Sequence, residues 1–155
     1  MTVEINRFNL RVYGVLVNTN RSVLLVDEQI GDYTFTKFPG GGLEFGEGIV
    51  DCLKREFREE LGQEPISYKH LYTTEFFQQS AFRYTDQIVS IYYWVDALQE
   101  DFSLPMGWQE RNTGKRVELL SFKWVSLDKL HPDMVTFPID KHVVELVLKQ
   151  KADLL

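Results

Sequence analysis

Cysteine is nearly missing: Cys52 stands alone among 155 residues. One thiol cannot close an intrachain disulfide, and it excludes a cysteine-rich zinc site as well. Histidine is scarce, and His70, His131 and His142 show no metal-ligand spacing, so they are assigned no role. The five prolines do not gather into a linker, and there is no low-complexity tract or internal repeat. No apolar run approaches the roughly 20 residues that a membrane span needs. Residues 1–7 lack the basic cap and apolar stretch of a secretory signal. Positive charge is in deficit: 17 Lys and Arg face 23 Asp and Glu, a net charge of -6. That balance argues against a partner such as duplex nucleic acid, which selects a basic face. These absences lead to the expectation of a soluble, cytoplasmic protein with no membrane contact.

Apolar residues are plentiful, at 44% of the chain with 14% aromatic, enough for a real core in one domain spanning 1–155. Residues 8–17 and 23–26 are β-rich, with a hairpin turn at Asn18 to Arg21 between them. Strand character continues at 33–38, and then Pro39-Gly40-Gly41-Gly42 reads as a stretch that no regular element would choose. The pattern turns helical from Gly48 to Leu61, with Gly62 as a C-terminal stop. Strands are expected again at 66–77, 87–97 and 117–125, the last two separated by a long connection at 98–116. Residues 139–149 form a terminal amphipathic helix, with Ile139, Val143, Leu146 and Val147 on one face. This order predicts an α/β protein, a mixed sheet with helices packed on its faces.

The stretch from Gly41 to Gln63, GGLEFGEGIVDCLKREFREELGQ, is the informative one. Glu56, Glu59 and Glu60 stand at i, i+3 and i+4, so three carboxylates leave one helix face as neighbours. Such crowding destabilises an isolated helix, and a divalent cation with a preference for oxygen ligands reverses that cost. On a helical wheel Val50, Leu53, Phe57 and Leu61 form the core stripe, with the acids flanking it. An isolated acidic pair is more often a solvated helix face, here held by contacts such as Arg55 with Glu59. The preceding glycines alter the balance, because their bare backbone can approach a metal or a phosphate closely.

Gly41, Glu47, Arg55, Glu56, Glu59, Glu60 and Gly62 stand in the spacing of the Nudix box, G-x5-E-x7-R-E-U-x-E-E-x-G-U. Seven prescribed letters in one window arise by chance on the order of once in 10⁸ windows. Two positions depart: Phe57 fills an aliphatic position with an aromatic ring, and Gln63 replaces the final aliphatic. Neither changes an acid. The run Phe38 to Glu44 resembles the family's approach to the box, and Lys123 to Leu130 resembles its late strand and turn.

The resemblance implies the Nudix fold, an α/β/α sandwich, and hydrolysis of a diphosphate linkage in a nucleoside diphosphate derivative. The substrate classes it implies are a nucleotide sugar, a nucleotide cofactor or a (deoxy)nucleoside triphosphate. It further implies a magnesium-dependent enzyme, with Mn²⁺ as a substitute, whose metal is held by Glu56, Glu59, Glu60 and the Gly40 or Gly41 carbonyl. Water then attacks phosphorus. Arg55 anchors the acids and Glu47 fixes the loop-helix geometry. Three acids are candidates for the general base: Glu56 in the box, and Glu110 or Glu118 beyond it. Gly40, Gly41, Gly42 and Arg83 are the expected substrate contacts, and a homodimer is compatible with the pattern.

Other cations near the site are Lys37, Lys115 and Arg116. Phe76, Phe77, Phe82, Tyr84, Tyr92, Tyr93 and Trp108 could stack on a base, although alternating aromatics are ordinary in strands. Neither the proline of ADP-ribose-cleaving relatives nor the tyrosine of dinucleoside-polyphosphate-cleaving ones is found near Gln78 to Ala81. A nucleotide-sensing regulator on the same fold is the alternative, and the intact set of box acids speaks against it. An isoprenoid diphosphate isomerase would need its own catalytic cysteine, and Cys52 inside the box helix is poorly placed for that role.

Overall fold

The computed structural model describes residues 3–98 and 103–151. Among these residues the strands form two four-stranded sheets. In the first, β1 (Arg7–Leu16) runs parallel to β6 (Asp86–Leu98) and antiparallel to β4 (Gly40–Gly42), while β5 (Pro65–Thr73) lies outside β6. In the second, β2 (Ser22–Ile30) and β8 (Val117–Ser126) pair at the centre, flanked by β3 (Tyr33–Lys37) and β7 (Gln109–Asn112). Helix α1 (Ile49–Leu61) follows the glycine strand, and α2 (Pro138–Gln150) closes the described chain after a short 3-10 turn at Pro132–Met134.

Two-residue periodicity sends neighbouring side chains of one strand to opposite faces, and here each face has its own core. Val12 and Leu16 of β1, with Leu24 and Val26 of β2, pack on Leu53, Phe57 and Leu61 of α1. Tyr13 and Val15, with Val23 and Leu25, pack on Ile139, Val143, Val144 and Val147 of α2. Each helix thus covers one side of the β layer, which is the expected mixed-sheet sandwich. The alternation of apolar residues on both faces explains why β1 and β2 read as continuous hydrophobic runs.

The sequence reading and the structure differ at two places that matter for the site. Gly40–Gly42 was expected to be irregular and is a strand, in register with Arg11, Val12 and Tyr13. Only glycine allows this approach: a Cβ on Gly40, whose φ is 141°, would lie 2.1 Å from the Val12 carbonyl oxygen. The connection at 98–116 was expected to lack regular structure, yet it contains β7, whose alternating polar residues give no hydrophobic signal. Residues 99–102 of that connection lie outside the described residues.

Candidate active site

Helix α1 starts where Asp51 turns back to accept a hydrogen bond from the Gly48 amide at 2.9 Å. Its acidic face then meets β4. Glu56 and Glu60 are buried, whereas Glu59 stays exposed, so the three carboxylates reach different depths. A Cβ on Gly41 would lie 2.6 Å from Glu56 Oε1, so the missing side chain is what lets the carboxylate reach the glycine backbone. Glu60 Oε2 accepts from the Gly40 amide at 3.3 Å.

Arg55 joins the loop, the glycine strand and the acids. It donates to both oxygens of Glu47 at 2.9 and 2.7 Å, to Glu56 Oε1 at 2.9 Å and to Glu59 Oε2 at 3.2 Å. Its Nη2 also donates to the Gly42 carbonyl at 2.9 Å. The two-pronged contact with Arg55 holds the Glu47 carboxyl down to about 2. Cys52 lies beneath this network with its thiol pushed up to about 12 by burial, which keeps it from acting as a nucleophile.

A second wall faces the acids from the other sheet. Arg111 of β7 reaches all three: Nη1 is 3.1 Å from both Glu56 Oε2 and Glu60 Oε1, and Nη2 is 2.6 Å from Glu59 Oε2. Lys37 of β3 is buried and bonds the Gly40 carbonyl at 2.8 Å, with Glu28 and Glu60 at 3.4 and 3.5 Å. Burial raises the Glu60 carboxyl to about 7, with Lys37 opposing the shift. Glu28 and Glu118 share a hydrogen bond: burial pushes Glu28 up, while Glu118, against its own burial, is held down by Glu28 and Arg116. The two carboxyls of the pair are thus pushed in opposite directions, Glu28 up and Glu118 down. Arg116 Nε donates to Glu118 Oε1 at 3.0 Å.

Between these walls opens a cavity of about 440 Å³. Its lining includes Gly40 to Gly42, Glu56, Arg111, Glu118, Arg11 and Asp140. On the α2 side Tyr92 donates to buried Asp140 at 2.5 Å, and burial raises that carboxyl to about 6. Phe35, Phe82 and Phe137 also line it as a cluster with centroids 5.2–6.0 Å apart. Cations and acids thus share one cavity with an aromatic wall.

The structure brings Glu56, Glu59, Glu60, Arg55, Gly40, Gly41, Gly42 and Glu118 into one neighbourhood. Arg83 reaches only the rim: it is exposed, and its Nε lies 3.5 Å from Asp86 Oδ1. The Gly40 carbonyl, one of the two carbonyls expected as a metal ligand, accepts a hydrogen bond from Lys37. Glu110, a candidate base, is exposed and lies outside the cavity lining, because strand alternation turns its neighbour Arg111 inward. Sequence reasoning missed Arg111, Arg11, Glu28 and Asp140. None belongs to a local motif, and each acquires its position only through strand register or helix docking.

Do these residues fit a divalent ion? The donor chemistry does, since three carboxylates are gathered on one face. Glu56 Oε2 is also buried without a hydrogen bond, its contact to Arg111 being an ion pair of unfavourable angle. Among the described residues no three such side chains converge as a ready-made metal cluster. Arg111 lies among the carboxylates and supplies the positive charge there. Glu56, Glu59 and Glu60 are the side chains that would hold an ion.

Such a fold and cavity define a class first: a helix-sheet-helix sandwich that presents clustered carboxylates to a pocket for a small anionic molecule. The chain matches the NUDIX domain over residues 7–147. It belongs to the Nudix family and is a Nudix-type diphosphate hydrolase. Among solved structures it is similar to the E. coli ORF135 protein, at 17% identity and a TM-score of 0.69, covering 95% of this chain and 93% of that one. It is also similar to a MutT NUDIX hydrolase from Burkholderia pseudomallei, at 18% identity and a TM-score of 0.68, covering 92% of this chain and 99% of the other. A NUDIX hydrolase from Nitrosomonas europaea gives 22% identity and a TM-score of 0.63, covering 96% of each chain. At these identities the likeness speaks for the fold alone. No curated protein matches the chain by sequence.

Proposed function

We propose that the chain hydrolyses the diphosphate linkage of a nucleoside diphosphate derivative with the help of Mg²⁺, for which Mn²⁺ can substitute. The observation that carries this reading is the meeting of Glu56 and Glu60 with the bare glycine strand at the edge of the cavity, with Glu59 beside them on the same helix face. Bound there, the ion would neutralise phosphate charge and acidify a water.

The chain's own residues do the rest. Arg55 and Glu47 keep the carboxylates aimed while the substrate comes and goes. Glu118, ionised and within the cavity, takes the proton from the water that attacks phosphorus. Glu28, whose carboxyl is pushed up by burial, stands between Glu118 and the Lys37 ammonium. The Gly40 to Gly42 backbone gives a phosphate room to approach. Phe35, Phe82 and Phe137 offer the aromatic wall for a nucleobase, and the cavity is within the range of small-molecule sites.

The cytoplasm, where nucleotides and Mg²⁺ meet, is the setting this reading implies. A homodimer is compatible with it and is not required by it. The test is a Mg²⁺ assay of nucleotide sugars, ADP-ribose, dinucleoside polyphosphates and nucleoside triphosphates, with the products identified. The expected result is cleavage of at least one into two phosphate-bearing products or into nucleotide and diphosphate. Tight binding without any turnover across the panel would instead favour a nucleotide sensor.

A further inference from the structure

Nearly every cation that lines the cavity is already neutralised. Arg7 makes a two-pronged contact with Asp86 at 3.1 and 2.9 Å. Lys37 is shared by Glu28 and Glu60, Arg111 by the three box acids, and Arg116 is paired with Glu118. Arg83 lies beside Asp86 at the rim, and Lys115 is exposed in the turn before β8.

Arg11 differs. It is half-buried in the cavity wall, and among the described residues it forms no ion pair with a carboxylate. Its Nε donates to the Tyr13 hydroxyl at 2.5 Å, and its guanidinium carbon lies 5.7 Å from that ring's centroid. The Tyr13 ring is itself held: it packs on Tyr92 at 5.3 Å, and the Lys37 ammonium lies 5.6 Å from its centroid. One edge of the guanidinium is thus fixed, and the two Nη groups keep their donors for something else.

Glu56 and Glu28 attract this guanidinium through space, yet among the described residues neither forms an ion pair with it, so its Nη donors stay available. The paired donors of a guanidinium match the oxygens of a phosphate. Position adds to chemistry. A Cβ on Gly42 would lie 3.7 Å from Arg11 Nη1, while one on Gly41 would lie 2.6 Å from Glu56 Oε1. Arg11 and the metal-site acid Glu56 therefore approach consecutive glycines of β4, and both line the one cavity.

We propose that Arg11 binds the second phosphate of the substrate, the one not held at the box acids, and thereby selects a diphosphate over a single phosphate. This rests on the diphosphate hydrolase reading and adds the residue that measures the length of the phosphate chain. It is a binding residue, and Tyr13 is the residue that positions it.

Calorimetric titration of the full chain with inorganic diphosphate and with orthophosphate, each in Mg²⁺ buffer, provides the test. The quantity read is the ratio of the two affinities. In Arg11→Gln that ratio is expected to shrink roughly tenfold or more, the loss of a charge-assisted contact to one phosphate only. The melting temperature is expected to change little, because the contact to the Tyr13 hydroxyl is the one hydrogen bond removed. Arg11→Met, which keeps the apolar stem, serves should the glutamine variant fold poorly, and it is expected to give the same ratio. An unchanged ratio in a folded variant overturns the role of Arg11 and leaves the hydrolase reading intact. A wild-type chain that binds neither anion also overturns the role of Arg11, and the substrate assay tests the hydrolase reading independently.

Discussion

The two walls of the cavity hold their charges by different means. On the α1 side the acids are spaced by the helix itself, and their anchor Arg55 comes from the same turn of chain as its partners Glu56 and Glu59. On the opposite side Arg111 meets Glu60 across 51 residues of sequence, and Arg11, Lys37, Glu28 and Glu118 come from four different strands. The first wall is local geometry and the second is register. A helix face can be written in a short motif, because i, i+3 and i+4 are neighbours whatever the rest of the chain does. A wall built from strands exists only once the strands have paired.

The sharpest way to break this contrast is to remove the proposed base from the register-built wall and compare it with the outward-facing Glu110 of β7. Glu118→Gln is expected to lower turnover by roughly a hundredfold to a thousandfold, the usual range for losing a general base. Glu110→Gln should change it less than about twofold, since that side chain faces solvent. Steady-state rates on the best substrate decide between them, and equal losses would remove Glu118 from the mechanism.

Gly41→Ala tests the helix wall without touching an acid. The added methyl would push the Glu56 carboxylate, 2.6 Å away, off the glycine strand. A displacement of about 1 Å is expected to cost turnover on the order of a hundredfold. The far end of a side chain can yield, so the melting temperature should fall only slightly.

Arg111 links the two walls, and its loss should separate them. Arg111→Gln removes the cation that lies among Glu56, Glu59 and Glu60, leaving three carboxylates in mutual repulsion. The metal-free protein is expected to lose about 1–2 kcal/mol of stability. Affinity for Mn²⁺ should rise severalfold, because the ion no longer competes with a guanidinium. Denaturant melts and a Mn²⁺ titration report the two effects, and weaker Mn²⁺ binding would show that Arg111 helps the site form.

An effect on stability alone lies furthest from the acids. Asp140 ionises at about 6 in the folded chain, against an ordinary 3.8. Because the folded value is raised, the folded state holds the proton more tightly. The stability this gives is full below about pH 4 and is lost as pH rises through 6. Asp140→Asn keeps an acceptor for the Tyr92 hydroxyl and removes the titration. The variant is therefore expected to gain about 2–3 kcal/mol on the wild type between pH 4 and pH 7. Melting curves across that range with a constant difference would exclude the assignment.

Much of the fold could be read from residue patterns, and the limits follow from the same contrast. Alternating apolar runs marked β1, β6 and β8, and the glycine at position 62, with φ 70°, marked the end of α1. The strand at Gly40–Gly42 carried no such mark, because glycine is the residue that strand propensity disfavours. Its pairing depends on the close approach that only a missing Cβ permits. β7 was hidden by its four polar residues, and with it went Arg111. Cys52 was expected to be poorly placed for catalysis, and the structure buries it beneath the Arg55 network. For the site, box spacing disclosed the acids and Arg55, whereas the counter-charges and the Arg11 fork were beyond any local pattern.

The central claim is that the carboxylates of α1 hold the ion on which hydrolysis depends. Glu59 offers the cleanest test, since it is the exposed member of the three and its loss leaves both cores untouched. The decisive measurement is the Mg²⁺-dependent turnover of Glu59→Gln on the best substrate, with folding checked by its melting temperature. The account predicts a folded protein in which metal-dependent turnover is abolished. A folded variant that works at near-normal rate would contradict it.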